Sequence, residues 1–160
     1  MKVSSMVITG ILVAGAAASA AAQTATQTVT FQVDAINQVA VTGTPSLDIS
    51  AAVAGGAPTT VTSSGNTWAV TTNQTGAKIT ASIGSAMPAG VTLSATLAAP
   101  AGGTSAGLKS LGTTAVDVVT GITKLNASGL ALSYQLDATS AAGVITSTTR
   151  VVTYTITGGV

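Results

Sequence analysis

Polar and apolar side chains alternate with a period of two along most of the chain. The clearest run is "TATQTVTFQV", residues 24–33, in which Val29, Phe31 and Val33 share one face and Thr or Gln side chains occupy the other. Such alternation is typical of strands with one buried face, and the abundant Thr and Val favour strands as well. A helical period is almost absent. The pattern predicts an all-β protein.

The same alternation recurs at intervals of about ten residues and predicts about eight strands. They cover residues 25–33, 36–42, 46–51, 66–72, 77–83, 91–98, 129–138 and 149–158, with two weaker segments at 59–63 (a short edge strand) and 115–125. The turn "NQTG", with Gly76 able to adopt positive φ, predicts a hairpin between the strands on either side of it. We also expect the last two strands to pair as a closing hairpin.

Short strands at this spacing, with no helix between them, predict an antiparallel immunoglobulin-like β-sandwich of about eight strands. A closed barrel is the alternative. In either case the apolar row of each strand faces a core. Phe31, the only Phe, is therefore expected to be buried, either in its own molecule or in a neighbouring one.

The first 22 residues have the three parts of a secretory signal peptide. Lys2 supplies the basic start, an apolar stretch follows from Val7 to Ala18, and small residues end at Ala22. No later segment approaches the roughly 20 apolar residues that a membrane helix needs. We expect residues 23–160 to form one β-sandwich domain, secreted or displayed on a bacterial cell surface, with no integral membrane segment after signal cleavage.

Charge is scarce, at 6% of residues, and beyond the predicted signal peptide four Asp balance four Lys or Arg. Nucleic-acid binding requires a basic face, so this balance argues against it. A net charge near zero also gives little electrostatic protection against self-association. The charge pattern therefore favours a protein that assembles with itself.

Residue types that carry chemistry are few. The chain has no His, no Cys and no Glu, and its four Asp residues are isolated from one another, so general acid-base catalysis and metal binding lack their usual groups. We predict no catalytic, cofactor or metal site and no enzymatic activity. Asp117, inside an apolar run, is the one acid to inspect. Lys78 raises the idea of a Lys-Asn isopeptide bond, but it alternates out of phase with Ile79 and is predicted to face solvent.

Aromatic residues offer one candidate ligand contact. Trp68, the only Trp, could stack on a sugar, but it alternates in phase with Val70, which favours a position in the core. Tyr134 and Tyr154 are expected to pack in the core with their hydroxyls at its periphery.

The order of signal peptide, alternating N-terminal strand, Cys-free all-β body and terminal "RVVTYTITGG" resembles small secreted bacterial surface and fimbrial-type subunits. "TWAV" resembles the motif of WxL-type surface domains, with Val70 where that family has Leu. The resemblance implies donor-strand exchange, in which a terminal strand completes the sheet of the next molecule. Residues 23–35 would contain that strand, with Val29, Phe31 and Val33 as its inserted side chains.

The sequence thus predicts a non-enzymatic structural subunit of an extracellular or cell-surface assembly, such as a pilus-like filament or surface layer, that self-associates into a homopolymer. The alternative is a monomeric secreted adhesion or carbohydrate-binding module that binds through the loops at 54–60 and 99–113. Those loops contain few aromatic or charged anchors, which a tight small-ligand site needs.

Overall fold

A computed structural model describes residues 22–159. The predicted signal peptide, residues 1–22, lies outside the described residues except for Ala22. In the described part the strands are β1 (Asn37–Thr42), β2 (Val61–Thr72), β3 (Ala77–Ile83), β4 (Val91–Leu97), β5 (Thr104–Ser105), β6 (Lys109–Ser110), β7 (Val116–Ile122), β8 (Leu125–Ala138) and β9 (Val152–Thr157). The described residues contain a single short 3-10 turn, Ser140–Ala142, and no helix that is long and apolar enough to cross a membrane.

The described strands form two sheets, and every pair in them is antiparallel, which confirms the predicted all-β class. One sheet has five strands in the order β1-β2-β8-β4-β6, and the other has four in the order β5-β7-β3-β9. Both sheets contribute to one hydrophobic core, with Trp68 and Leu132 from the first and Ile79 and Val119 from the second. The core is therefore the layer shared by the two sheets.

Strand β3 shows how the sequence pattern produces this core. Ala77, Ile79, Ala81 and Ile83 are buried, and each residue between them is partly exposed. Successive side chains of a strand point to opposite faces, so a period of two places one row entirely inside. The bounds of this strand match the predicted range 77–83.

Two predicted hairpins are wrong. β2 pairs with β1 and β8, whereas β3 pairs with β7 and β9, so the "NQTG" turn carries the chain from one sheet to the other. In the same way β8 pairs with β2 and β4, and β9 does not pair with it. Alternation specifies which side chains of a strand face inward. It does not specify which sheet the strand joins, because a short connection can serve either topology.

The predicted segment 59–63 is not a separate edge strand, because it continues into β2, which lies between β1 and β8. The two halves of β2 join at a register shift between Ser63 and Asn66. β1 ends opposite this point, and Gly43 then takes a φ of +113°. A Cβ at Gly43 would overlap the Asn66 side chain, so the residue after β1 must be Gly.

Two predicted strands are not strands in the structure. Residues 22–36 carry no helix or strand, and neither do residues 43–51, although Leu47 and Ile49 are half-buried in the expected alternation. The chain also divides into two units, Met1–Gln32 and Val33–Val160, and the described strands all belong to the second. A strand needs a hydrogen-bonded neighbour, and neither segment is paired with a strand in the two described sheets.

We expect the core to be sensitive to truncation at Ile79, which is fully buried. Ile79→Ala should lower the free energy of unfolding by about 2–5 kcal/mol, because it removes buried methyl groups and leaves a cavity. Val144→Ala, at a fully exposed apolar residue, is the control and should change it by less than about 0.5 kcal/mol. Urea denaturation measures both, and similar losses for the two variants would contradict the assigned core.

Candidate assembly site

The N-terminal segment, residues 24–33, displays its apolar row to solvent. Val29 is 73% exposed, Phe31 87% and Val33 76%. Phe31 is therefore not buried by its own chain, and its expected burial in a neighbouring molecule stays a prediction. Large apolar side chains exposed in a regular row cost free energy in water, and contiguous exposed apolar surface is a common feature of interaction sites.

The chain enters the second unit through hydrogen bonds to Asn73, which we call the Asn73 clasp. The Ile36 amide donates to Asn73 Oδ1 at 2.8 Å, and Asn73 Nδ2 donates to the Asp34 carbonyl at 2.7 Å. The Asn73 amide in turn donates to the Ile36 carbonyl at 3.2 Å. Asn73 lies in the turn between β2 and β3, so the clasp fixes where the N-terminal segment leaves this unit.

The end of the second unit that contains this turn is called the turn end. β1 begins there, with Asn37 opposite Thr72, and β9 finishes there, with Thr157 opposite Lys78. β9 therefore runs toward the turn end and begins, at Val152, at the opposite end of the sheet. The direction of β9 determines whether a strand placed beside it, and entering from a given end of the sheet, would run parallel or antiparallel to it.

A groove with a volume of about 1150 Å³ lies toward the start of β9. Residues 45–52 and 142–150 line it, and Leu93 and Leu136 lie among its apolar lining. Val144 and Ile145, both exposed, line it as well. Its volume exceeds the roughly 300–1000 Å³ that is usual for a small-ligand cleft.

Strand β9 is the edge of the four-stranded sheet, and in the described chain it pairs only with β3. The Gly84 amide donates to the Val151 carbonyl, and the register continues this pair through Thr153 and Thr155. Hydrogen-bonded and non-hydrogen-bonded positions alternate in an antiparallel pair. The backbone N–H and C=O groups of Val152, Tyr154 and Ile156 therefore point away from β3.

The side chains of those three residues point inward and are only partly buried, unlike the fully buried row of β3 beside them. β9 thus combines an unpaired backbone edge with an incompletely covered apolar row. β1, the edge strand of the other sheet, lies close to β9, so this edge is unpaired but not uncovered.

Tyr154 and Tyr134 connect β9 to the other sheet. Their hydroxyls are 3.0 Å apart and hydrogen-bonded. Burial raises the pKa of both phenols above the ordinary value, and the hydrogen bond to Tyr134 raises the pKa of Tyr154 further. The expected core position with hydroxyls at its periphery is confirmed for Tyr134, which is buried, while Tyr154 is half-buried.

The remaining sequence candidates lie apart from this site. Trp68 is 1% exposed and its indole N–H donates to the Ala98 carbonyl at 3.1 Å, so its ring faces the core and offers no surface to a sugar. Asp117 forms a 3.0 Å ion pair with Lys78, and both side chains are partly exposed. Lys78 is therefore paired with an Asp and not with the Asn that an isopeptide bond needs. Among residues 22–159, no three His, Cys, Asp or Glu side chains are grouped as metal ligands.

Sequence reasoning missed the Asn73 clasp and both sides of the groove. Asn73 stands out in the sequence only as part of a glycosylation sequon, Asn73–Thr75, which conveys nothing about its hydrogen bonds. Residues 46–51 were visible as a strand pattern. That this pattern pairs with no strand among residues 22–159 depends on topology and was not visible.

Replacing Asn73 should loosen the point where the N-terminal segment is attached. Asn73→Ala removes the acceptor of the Ile36 amide, so that amide should exchange with deuterium about fivefold faster, the equivalent of a net hydrogen bond of about 1 kcal/mol. Hydrogen exchange at residue resolution measures the change. Asn126→Ala, at an exposed Asn in β8, is the matched control and should leave Ile36 unchanged. Equal exchange in both variants would contradict the clasp.

The tyrosine pair predicts a loss of stability in alkali. A raised pKa means that the phenols ionise more readily in the unfolded chain, near pH 10, than in the folded one. The two neutral phenols make their full contribution to the free energy of unfolding below about pH 10. That contribution is lost as the pH rises toward the folded-state pKa. Urea unfolding between about pH 8 and 11 should show this decline, with a shallower slope for Tyr154→Phe. Ionisation of both phenols near pH 10 in the folded protein, seen as tyrosinate absorbance, would contradict it.

Comparison with protein-family models, with curated proteins and with solved structures gave no match. The interpretation of the site therefore depends on the geometry of this chain.

Proposed function

We propose that this protein is a non-enzymatic structural subunit of an extracellular or cell-surface assembly, such as a pilus-like filament or surface layer, and that copies of it self-associate through residues 24–33. The observation that carries the proposal is the exposed row of Val29, Phe31 and Val33 in a segment without a strand of its own. Burying this row in another molecule would remove three large apolar side chains from water.

The architecture is compatible with this role. Two antiparallel sheets around one core, in the immunoglobulin-like arrangement that we propose for them, accept an extra strand at an edge without rearranging the core. The near-zero net charge beyond residue 22 lets copies approach without strong repulsion. Export by a signal peptide would place the protein where such assemblies form.

Charged substitutions in the exposed row test the proposal. The full-length gene is expressed in a secreting bacterial host, and the exported protein is compared with Val29→Asp/Phe31→Asp and with a form lacking residues 23–35. The wild type should form filaments or SDS-resistant oligomers, visible by negative-stain microscopy and size exclusion. Both variants should be monomers, because a carboxylate cannot be buried in an apolar site without a large penalty.

Thr28→Asp/Thr30→Asp is the matched control, since it adds the same charge on the opposite face of the alternation and should still assemble. Melting temperatures separate assembly from folding. Because Val29 and Phe31 are exposed, the free energy of unfolding of the double Asp variant should lie within about 0.5 kcal/mol of that of the monomeric wild type. A wild type that is a folded monomer in every preparation would overturn the proposal and favour a monomeric binding module.

A further inference from the structure

We propose that the groove at the start of β9 binds a single-chain amphiphile, whose anionic head contacts Arg150 and whose aliphatic chain lies along the apolar lining. The head is a carboxylate or a phosphate, since both present the oxygens that a guanidinium recognises. This site uses none of residues 24–33, so it is independent of the proposed function.

The groove opens onto the hydrophobic core between the two sheets. Its lining includes Leu93 from the five-stranded sheet and Val152 from the four-stranded sheet. Several apolar side chains that line it pack against the core and yet stay half-buried, namely Leu47, Met87, Leu136 and Val152. A chain of methylene groups laid over them would leave water together with the surface that it covers.

The lining is aliphatic rather than aromatic. Tyr134 is the one aromatic residue among the described residues that line the groove, and it is 7% exposed with its hydroxyl bonded to Tyr154. A sugar ring therefore has no aromatic face to stack on, whereas an alkyl chain needs none.

Arg150 supplies the groove with a fixed positive charge. Its Nε donates to the Ala86 carbonyl at 3.2 Å, and its Nη1 donates to the Thr149 carbonyl at 2.8 Å and to Thr148 Oγ1 at 3.1 Å. A guanidinium has five N–H donors, and the two on Nη2 donate to no described residue. No carboxylate of the described chain lies within ion-pair distance of Arg150 either.

A guanidinium held in this way is prepared to bind an anion, because little side-chain entropy remains to be lost. Asp48 also lines the groove, but its side chain is exposed and forms no hydrogen bond or ion pair with a residue of the described part. Water screens a charge of that kind. An apolar lining with one well-placed polar group is the usual composition of a ligand site.

The wall of the groove beside Arg150, residues 143–149, is anchored at both ends. Before it, the Thr139 amide donates to the Gly90 carbonyl at 2.8 Å, and a Cβ on Gly90 would come within 2.9 Å of the Ala142 nitrogen. After it, the Arg150 side chain donates to the same connection between β3 and β4. The wall is therefore positioned by its own chain, without a ligand.

Calorimetric titration of the exported protein with decanoate, decyl phosphate and decanol tests the proposal. At least one of the two anions should bind one to one, and decanol should bind at least about tenfold more weakly, because it lacks the charge-assisted hydrogen bond. Octanoate, shorter by two methylenes, should bind roughly tenfold more weakly than decanoate. The same titrations on Val29→Asp/Phe31→Asp keep the groove free of neighbouring copies.

Two substitutions locate the site. Arg150→Gln should weaken binding of the anions by about tenfold or more and leave decanol within about twofold. Lys109→Gln, which removes an exposed cation outside the groove, is its control. Ile145→Asp should weaken all three ligands by about tenfold or more, since it places a carboxylate in the apolar lining.

The control for Ile145→Asp is Leu108→Asp, at an exposed apolar residue that does not line the groove. Ile145 is itself 40% exposed, so its variant should keep the wild-type melting temperature to within a few degrees. An equal loss of anion and decanol binding in Arg150→Gln would show that Arg150 only shapes the wall, and it would overturn the assigned head contact.

The anion that binds more tightly identifies the source of the ligand, and either result supports the site. A preference for decanoate indicates a free fatty acid, and a preference for decyl phosphate indicates a phosphate-bearing lipid. No saturable binding of either anion would overturn the proposal. So would equal affinity for decanol, or binding of many molecules per chain with loss of the near-ultraviolet dichroism of buried Trp68.

Discussion

The hydrophobic layer between the two sheets is the interaction on which the rest of the structure depends. The chain has no Cys and few charges, so neither disulfides nor ion-pair networks can hold it together. Trp68, Ile79, Leu97 and Ile122, each almost fully buried, are among the largest side chains of that layer. The longer strands β2, β3, β4, β7 and β8 are positioned by the need to place side chains in this layer, and hydrogen bonds between strands follow from that arrangement.

The inward row of side chains is less completely covered on one edge strand, β9, than in the interior of the sheet. On β3, buried between two neighbours, the inward row is completely covered, whereas on β9 the row of Val152, Tyr154 and Ile156 is only partly covered. Natural sheets usually protect an edge with charge, proline or a covering loop. β9 carries none of these within its own sequence, "VTYTIT". β1, the edge strand of the other sheet, lies close to β9, so this edge is flanked by the second sheet although it is not hydrogen-bonded to it.

Sequence reasoning succeeded where a strand depends on its own alternation. β1, β3 and β4 were predicted within a residue or two, because their inward rows are plain in the sequence. It failed for the hairpin at "NQTG", since strands on either side of a four-residue turn can belong to one sheet or to two. It also failed for residues 46–51, whose pattern is that of a strand but whose partner is missing from the described chain.

The sequence by itself determined the all-β class, the antiparallel strands and the apolar row of Val29, Phe31 and Val33, because a period of two is a local property of the chain. Only the tertiary structure decided that this row is exposed, that Trp68 is enclosed, and that β9 is an edge strand. Those features depend on which strands lie side by side. Strand order is set by contacts between residues far apart in sequence, and no local pattern contains that information.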